Sequence, residues 1–365
     1  MADAAHTPPL RVGLVIGQLT VGGAEGQLLQ LVRGLGADVV PFVYALSARP
    51  THLHSALVEH GVAVREITGH PALRALRLAR ALPRDGVAVA HAWLFIANAY
   101  LAVAKLLGGR WRMATSARNC KVQGWVSRIA NAIAFRMSAL VVVNSADVEA
   151  YIVEEYAAPR TRIRVVPNGV DTDRFRPPGS LVESNPVHVV TVGRLVRQKN
   201  HDLFLRGAAG LLRSGVAARF TIVGDGPLRA ELEARARALG VADRVAFAGE
   251  RHDVESILRE ATLFWLTSSW EGMPNAVLEA LASGVPVVVT AVSGTRELVE
   301  PGVQGEIVDL DDATALVARS RAILEEPERR RRMAAAARQR ALAFSSGQMA
   351  ARLANLYAEL GRTGA

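Results

Sequence analysis

Cys120 is the only cysteine in the 365 residues, so no internal disulfide can form and no cysteine-based metal cage is available. Aromatic residues make up only 5% of the chain, too few to interleave with the basic stretches as a single-strand nucleic-acid binder requires, and no nucleic-acid partner is expected. Half the residues are hydrophobic, yet no run reaches the roughly 18 consecutive apolar residues of a spanning helix. The best candidate, 125–143, is interrupted by Arg128, Asn131 and Arg136 and turns into a β-branched run at Leu140, which predicts a buried helix leading into a strand. Residues 1–9 lack the basic-then-apolar layout of a signal peptide and read as a short disordered leader of a cytoplasmic protein. The loop from Gly17 has neither a Gly-x-Gly-x-x-Gly pattern nor a Gly-Lys-Ser/Thr ending, so nicotinamide-dinucleotide and P-loop readings lose support.

What is abundant is arginine, and the charge is lopsided. The net charge of +9 comes almost wholly from the first half, where residues 1–168 hold 18 Lys and Arg against 10 Asp and Glu; residues 169–365 hold 25 against 24. A basic face attracts nucleic acid, anionic lipid or an acidic small molecule, and its sign alone does not choose among them. The preference for Arg over Lys suits compositional bias as well as phosphate recognition. The run Arg329–Arg332 suits a solvated helix face.

A chain this long exceeds one hydrophobic core and predicts two domains. Short β-rich runs at 10–16, 39–46, 87–91, 113–117 and 140–143 alternate with amphipathic segments at 24–35, 71–82 and 126–137, which means a parallel sheet with helices on both faces, and the stretch 163–166 then leads into Pro167-Asn168-Gly169. Turn residues and charges then fill 169–185, the expected interdomain linker between an N-terminal domain at 1–168 and a C-terminal one at 186–345. The second alternating series places strands at 188–192, 220–223, 245–248, 263–267 and 286–290, with helices at 202–213, 228–239, 275–283 and 313–324. The fold class is α/β, two doubly wound Rossmann-like domains facing across a ligand cleft at their strand C-terminal ends. Two more helices follow, and the last, within 346–365, is expected to pack back on the first domain.

The stretch Ser268-Ser269-Trp270-Glu271-Gly272-Met273-Pro274-Asn275-Ala276-Val277-Leu278-Glu279 carries the most chemistry. A strand ends, a loop follows and a helix starts near Pro274 or Asn275, so backbone N–H groups are offered to a phosphate or a sugar hydroxyl. Glu271 precedes these donors and Glu279 lies about one turn inside the helix, its side chain leaning back toward the start, so both carboxylates reach one ligand. The alternative is that Glu279 complements the helix dipole and Glu271 is solvated. Gly193-Arg194-Leu195-Val196-Arg197-Gln198-Lys199-Asn200 follows another strand and sets two cations beside the next helix, a pattern suited to pyrophosphate or to an exposed basic turn. Gly224-Asp225-Gly226-Pro227 follows a third strand, as a tight turn or as a place of close ligand approach. In the first half, Gly22-Gly23-Ala24-Glu25 joins the first strand to the first helix and would let backbone amides approach a donor phosphate.

Together with Val166-Pro167-Asn168-Gly169-Val170-Asp171, these motifs resemble the family-four retaining glycosyltransferases of GT-B fold, over nearly the whole chain. The resemblance implies a nucleotide-sugar donor, a UDP- or GDP-sugar, and no separate cofactor. By it, Arg194 and Lys199 hold the donor pyrophosphate, Glu279 bonds the ribose, and Glu271 with the backbone of Gly272, Met273, Pro274 and Asn275 holds the transferring sugar. Gly23 and Gly193 line the donor site, and the base lies near Gly249, Glu250 and Arg251. Many members present a histidine after the strand corresponding to 113–117, whereas this chain has Arg118-Asn119, the acceptor-side candidates here. His91 is the nearest alternative base, and a lone histidine between Ala and Trp equally suits a packed, hydrogen-bonded role. The Asp171-Thr172-Asp173 and Asp309-Leu310-Asp311 pairs lie away from the phosphate motifs, so no metal is expected. A nucleotide-sugar epimerase, a phosphorylase and a non-catalytic binder remain as alternatives, separable by product analysis. The acceptor is expected to be a glycan or lipid-linked sugar. The helix at 71–82 puts Leu73, Leu76 and Ala79 or Arg80 along one side with Arg74, Arg77 and Arg84 clustered nearby, which suits either a surface helix or peripheral contact with an anionic membrane at its inner face.

Overall fold

The computed structural model describes residues 8–19, 22–47, 51–120, 124–179 and 186–362. Most of the expected leader, the end of the expected linker at 180–185 and the last three residues lie outside the described residues. The chain divides into two compact units, one built from Met1–Gly169 with Ser346–Ala365 and the other from Val170–Ser345.

The first unit carries strands β1 (Leu10–Ile16), β2 (Val39–Ala45), β3 (Ala63–Glu66), β4 (Val89–Trp93), β5 (Arg112–Ala117), β6 (Leu140–Val143) and β7 (Ile163–Val165). They form one parallel sheet in the order β3-β2-β1-β4-β5-β6-β7, so the order reverses between β1 and β4. Helices α1 (Gly23–Gly34), α2 (His52–Glu59), α3 (Pro71–Arg84), α4 (Phe95–Leu106), α5 (Trp125–Met137) and α6 (Ala146–Tyr156) connect them. Alternation along β1 sends Val12, Leu14 and Ile16 to the core shared with Leu28 and Leu31 of α1, and Val15 to the opposite core with Leu78 of α3 and Leu101 of α4.

The second unit carries β8 (Val187–Val192), β9 (Ala218–Val223), β10 (Val245–Gly249), β11 (Leu263–Leu266), β12 (Val287–Thr290) and β13 (Gly305–Val308). Their order is β10-β9-β8-β11-β12-β13, again all parallel, with the reversal between β8 and β11. Helices α7 (His201–Arg213), α8 (Arg229–Ala238), α9 (Val254–Arg259), α10 (Asn275–Ala282), α11 (Thr295–Leu298), α12 (Ala313–Leu324) and α13 (Pro327–Leu342) flank the sheet. Leu263 and Trp265 face one core, Phe264 and Leu266 the other. The buried Trp265 edge is met by Phe204 and its indole N–H donates to Ser320 Oγ at 2.9 Å, which satisfies its polar atom inside the core.

The last helix, α14 (Ser346–Arg362), belongs to the first unit: Met349, Leu353 and Tyr357 enter the core beside α1 and β1. Gln27 of α1 exchanges two hydrogen bonds of 2.7 Å with the backbone of Gly169, tying the end of that sheet to its first helix.

Three expectations need correction. The strand expected at 87–91 runs from Val89 to Trp93, because the Val87 N–H closes the end of α3 on the Leu82 carbonyl at 3.1 Å. The helix at 125–137 precedes a strand as expected but is not buried: Trp125, Val126, Ile129 and Ile133 are exposed, and only Asn131, Ala134 and Phe135 turn inward. In α3 the buried stripe is Ala75, Leu78 and Leu82, the i, i+3, i+7 set that extends through the last turn, while Leu73 is exposed. The connections α2, β3, α4 and α6 were not anticipated.

Candidate active site

In a doubly wound sheet the loops on either side of the order reversal part from each other and leave a crevice at the strand C-terminal ends. In the second unit those are the loops after β8 and β11, and they hold the two clusters singled out above. The β8 loop runs through Gly193 and Arg194 into a single 3₁₀ turn at Arg197–Lys199, after which α7 begins at His201. The β11 loop leads from Thr267 to α10, whose first residue is Asn275 and whose start has no side-chain cap.

Lys199 Nζ reaches Glu271 Oε1 at 2.6 Å, with the two side chains 19% and 8% exposed. Ser268 Oγ donates to the same carboxylate oxygen at 2.7 Å, and Gln198 Nε2 donates to the Trp270 carbonyl at 2.9 Å. Two further bonds stitch the loops together, Ser269 N to the Gln198 carbonyl at 2.8 Å and Thr267 Oγ1 to the Lys199 carbonyl at 3.0 Å. Removing either member of this largely buried pair would leave the other charge without its partner, which costs more than the pair contributes. Arg194 is exposed beside it, and its side chain bonds to no group among the described residues. Its carbonyl accepts from His201 Nε2 at 3.2 Å. Burial holds His201 neutral, with its pKa pushed down to about 4.

The neighbouring loops brace this arrangement backbone to backbone. Gly224 follows β9 at φ +131°, and a side chain there would strike the Gly193 carbonyl; Leu195 N donates to the Asp225 carbonyl at 2.9 Å. Gly294, after β12, has φ +75°, and a side chain there would strike the Gly272 carbonyl. Gly249 at the end of β10 accepts from Gly224 N at 2.7 Å. Beyond it Glu250 is exposed, and Arg251 is forked onto Asp253 at 2.8 and 2.7 Å.

Glu279 lies on α10, half-buried and without a hydrogen-bond partner among the described residues. Burial pushes its pKa up to about 7, against the attraction of Arg174 and Lys199 and with help from Glu255. The two Asp-x-Asp pairs do local work. Asp171 Oδ1 accepts from Asp173 N and Arg174 N at 3.1 and 2.9 Å, and Asp311 pairs with Arg206 and bonds Asn200 at 3.3 Å.

In the first unit, the Glu25 carboxylate lies against Gly22 at the start of α1, which opens at Gly23. His91 does not end its strand; it sits in the middle of β4, fully buried, with Nδ1 2.7 Å from Tyr357 Oη and Nε2 2.6 Å from Ser116 Oγ. Burial and the Arg118 charge push its pKa down to about 3. With both nitrogens engaged and no exposure it has no route to an acceptor hydroxyl, so it is not retained as a base. Arg118 follows β5 and is buried, its guanidinium 3.8 Å over the Trp93 ring, and Asn119 comes next, half-buried. Gln198, Ser268 and Gly294 were not foreseen as site residues; Gln198 and Ser268 lie inside the stretches already singled out, and the Ser293-Gly294-Thr295 turn after β12 was the available signal for the third.

Residues 173–340 match the family described as glycosyl transferases group 1, and residues 21–174 match Glycosyltransferase Family 4. The chain is 34% identical over 190 residues to a UDP-Gal:alpha-D-GlcNAc-diphosphoundecaprenol alpha-1,3-galactosyltransferase of Escherichia coli, covering 49% of each protein. It is 34% identical over 241 residues to a lipopolysaccharide core biosynthesis mannosyltransferase of Rhizobium meliloti, covering 61% of this chain and 63% of that one. The chain spans about half the length of the curated relatives it matches. Anabaena HepE in complex with UDP has the same fold, with a TM-score of 0.86 at 19% identity over 96% of this chain and 100% of that one.

The raised pKa of Glu279 has a consequence for stability. Between the ordinary carboxyl value of 4.5 and about 7 the folded protein keeps a proton that the unfolded chain has released, so stability is greatest on the acid side and falls as pH rises through this window. Glu279→Gln should lose that fall. Denaturant unfolding of both proteins at about pH 5 and about pH 8 checks it, and parallel pH dependences would show that the Glu279 carboxyl is ordinary.

Proposed function

The chain belongs to the family-four glycosyltransferases of GT-B fold, and from that membership we propose that it moves a sugar from a nucleotide-sugar bound on its second unit to an acceptor hydroxyl, with retention of anomeric configuration. The observation that carries the proposal is the Lys199–Glu271 pair at the β8–β11 reversal, with the side chain of Arg194 unengaged beside it. Arg194 and Lys199 provide fixed positive charge for a leaving diphosphate, the planar fork on one and the mobile ammonium on the other. Glu271 and the backbone of 272–275 receive the sugar, Glu279 the ribose, and the 249–251 turn the base.

In the reaction, the bond from the sugar's anomeric carbon to the diphosphate oxygen breaks and the acceptor oxygen bonds the same carbon on the same face. The acceptor proton passes to the leaving phosphate oxygen. No protein base and no metal are required in this scheme. A uridine nucleotide is the first donor to test, since HepE is bound to UDP. A glycan or lipid-linked acceptor in polysaccharide or glycolipid synthesis follows from what the relatives are named for.

Membrane contact is proposed at a different place from that first expected. Leu73 is the exposed leucine of α3, whereas the adjacent α4 and α5 leave Ile96, Val103, Leu106, Trp125, Val126, Ile129 and Ile133 uncovered, with Arg128 and Arg136 exposed among them. An apolar face edged by arginine fits an anionic bilayer surface. No helix among the described residues is long and apolar enough to cross a membrane.

Arg194→Ala and Lys199→Ala should each weaken UDP binding and lower turnover about 10- to 1000-fold. Glu279→Ala should raise the Kd for UDP, whereas Glu271→Gln, which keeps a group for Ser268 and Gln198 to bond, should lower kcat and leave UDP binding nearly intact. Calorimetry and initial rates check both, and equal loss of UDP affinity in the two glutamate variants would contradict the division. NMR of product formed in chelator should show the donor's anomeric configuration; inverted product, or activity restored only by a divalent ion, would refute the scheme. Liposomes containing anionic lipid should sediment the protein at low salt, and Trp125→Ser with Ile129→Ser should abolish this. Sedimentation that instead depends on Arg74, Arg77 and Arg80 would return the contact to α3.

A further inference from the structure

The first sheet has its own order reversal, between β1 and β4, and an unpaired cation lies at its C-terminal edge. Arg118 follows β5, and its guanidinium stacks on Trp93, the last residue of β4, whose indole N–H donates to the Ala24 carbonyl in the first turn of α1 at 2.8 Å. The residue is 7% exposed. Nη1 donates to Asn168 Oδ1 at 2.9 Å, while Nε and Nη2 are buried without a partner, as is Oδ1 of Asn144. Asn144 Nδ2 reaches Asn168 Oδ1 only at 3.4 Å and the Arg118 carbonyl at 3.5 Å. No carboxylate pairs with Arg118 among the described residues.

Nε and Nη2 share one edge of the guanidinium, and that edge is how arginine grips oxyanions elsewhere in this chain. Arg65 holds Asp85 with it, Arg174 holds Glu255, and Arg251 holds Asp253. A guanidinium removed from water with its bidentate edge empty is a costly arrangement that stacking on an indole offsets only in part. A switch-point crevice is also where α/β sheets bind ligands.

We propose that the Nε–Nη2 edge of Arg118, with Asn144 and Asn168 around it, is the seat of an anionic group carried by the acceptor, a phosphate or a carboxylate. The assignment rests on the transferase reading, for it makes this crevice the acceptor's. It gives the sequence's departure from histidine at this position a purpose, since the fork selects acceptors by charge. Arg118 acts in this as a binding and positioning residue and takes no part in bond breaking.

The test uses the full chain in an Arg194→Ala/Lys199→Ala background, which silences the anion site proposed on the second unit. Thermal unfolding is followed while inorganic phosphate or acetate replaces chloride at constant ionic strength. One or both anions should raise Tm, phosphate alone assigning a phosphorylated acceptor and acetate a carboxylated one. Arg118→Met and Arg118→Lys should each weaken the effect about tenfold or more, because lysine keeps the charge but not the fork. In chloride, Arg118→Met should melt no lower than its parent, since it removes an unpaired buried charge. A response to neither anion, or one undiminished in Arg118→Met, overturns the proposal. So does a Tm in chloride that falls in Arg118→Met and returns in Arg118→Lys, the mark of a purely structural cation. UDP should still stabilise Arg118→Met in the otherwise native chain; loss of the UDP effect in every form would defeat the donor reading and leave the anion result standing.

Discussion

A parallel sheet sends the C-terminal end of every strand to the same edge, and that constraint governs where this chain keeps its chemistry. Loops that are far apart in sequence emerge side by side, and at the order reversal the two central ones diverge. In the second unit this brings Lys199 to Glu271 across 72 positions of chain. Such loops approach closely only if their backbones touch, and Gly224 and Gly294 supply those touches on left-handed conformations that leave no room for a side chain. The ion pair is therefore supported from both flanks by turns that contribute no functional side chain.

The same architecture is furnished differently in the first unit. Its polar centre is a neutral chain, Ser116 to His91 to Tyr357, in which the last partner arrives from α14 at the other end of the sequence. Burial and the nearby Arg118 charge keep His91 unprotonated, and burial raises the Tyr357 hydroxyl's pKa, so neither supplies charge. The C-terminal helix thus completes both the apolar core under β1 and the polar network within it.

Electrostatically the two switch points are near opposites. One holds a cation already matched by a carboxylate and bonded by Ser268, so its geometry is set before any ligand arrives. The other holds a buried cation with an aromatic face beneath it and an unpartnered bidentate edge. The carboxyl of Glu279 stands between these cases, buried enough to ionise near neutrality yet without a protein donor to hold it.

The two parallel sheets were legible in the sequence alone, because fully buried strands read as continuous β-branched runs and every predicted strand begins and ends within two residues of its observed bounds. It also marked Arg194, Lys199, Glu271 and Glu279, because turns after strands carry their own local signature of glycine and charge. Local pattern failed where partners are distant. His91 and Arg118 look alike as lone polar residues near strand ends, and only packing shows that Tyr357 and Ser116 saturate one while nothing saturates the forked edge of the other. Helical periodicity placed α3 and α5 but not their buried faces, since which side of a helix meets the sheet depends on the neighbours it docks against rather than on its own stripe.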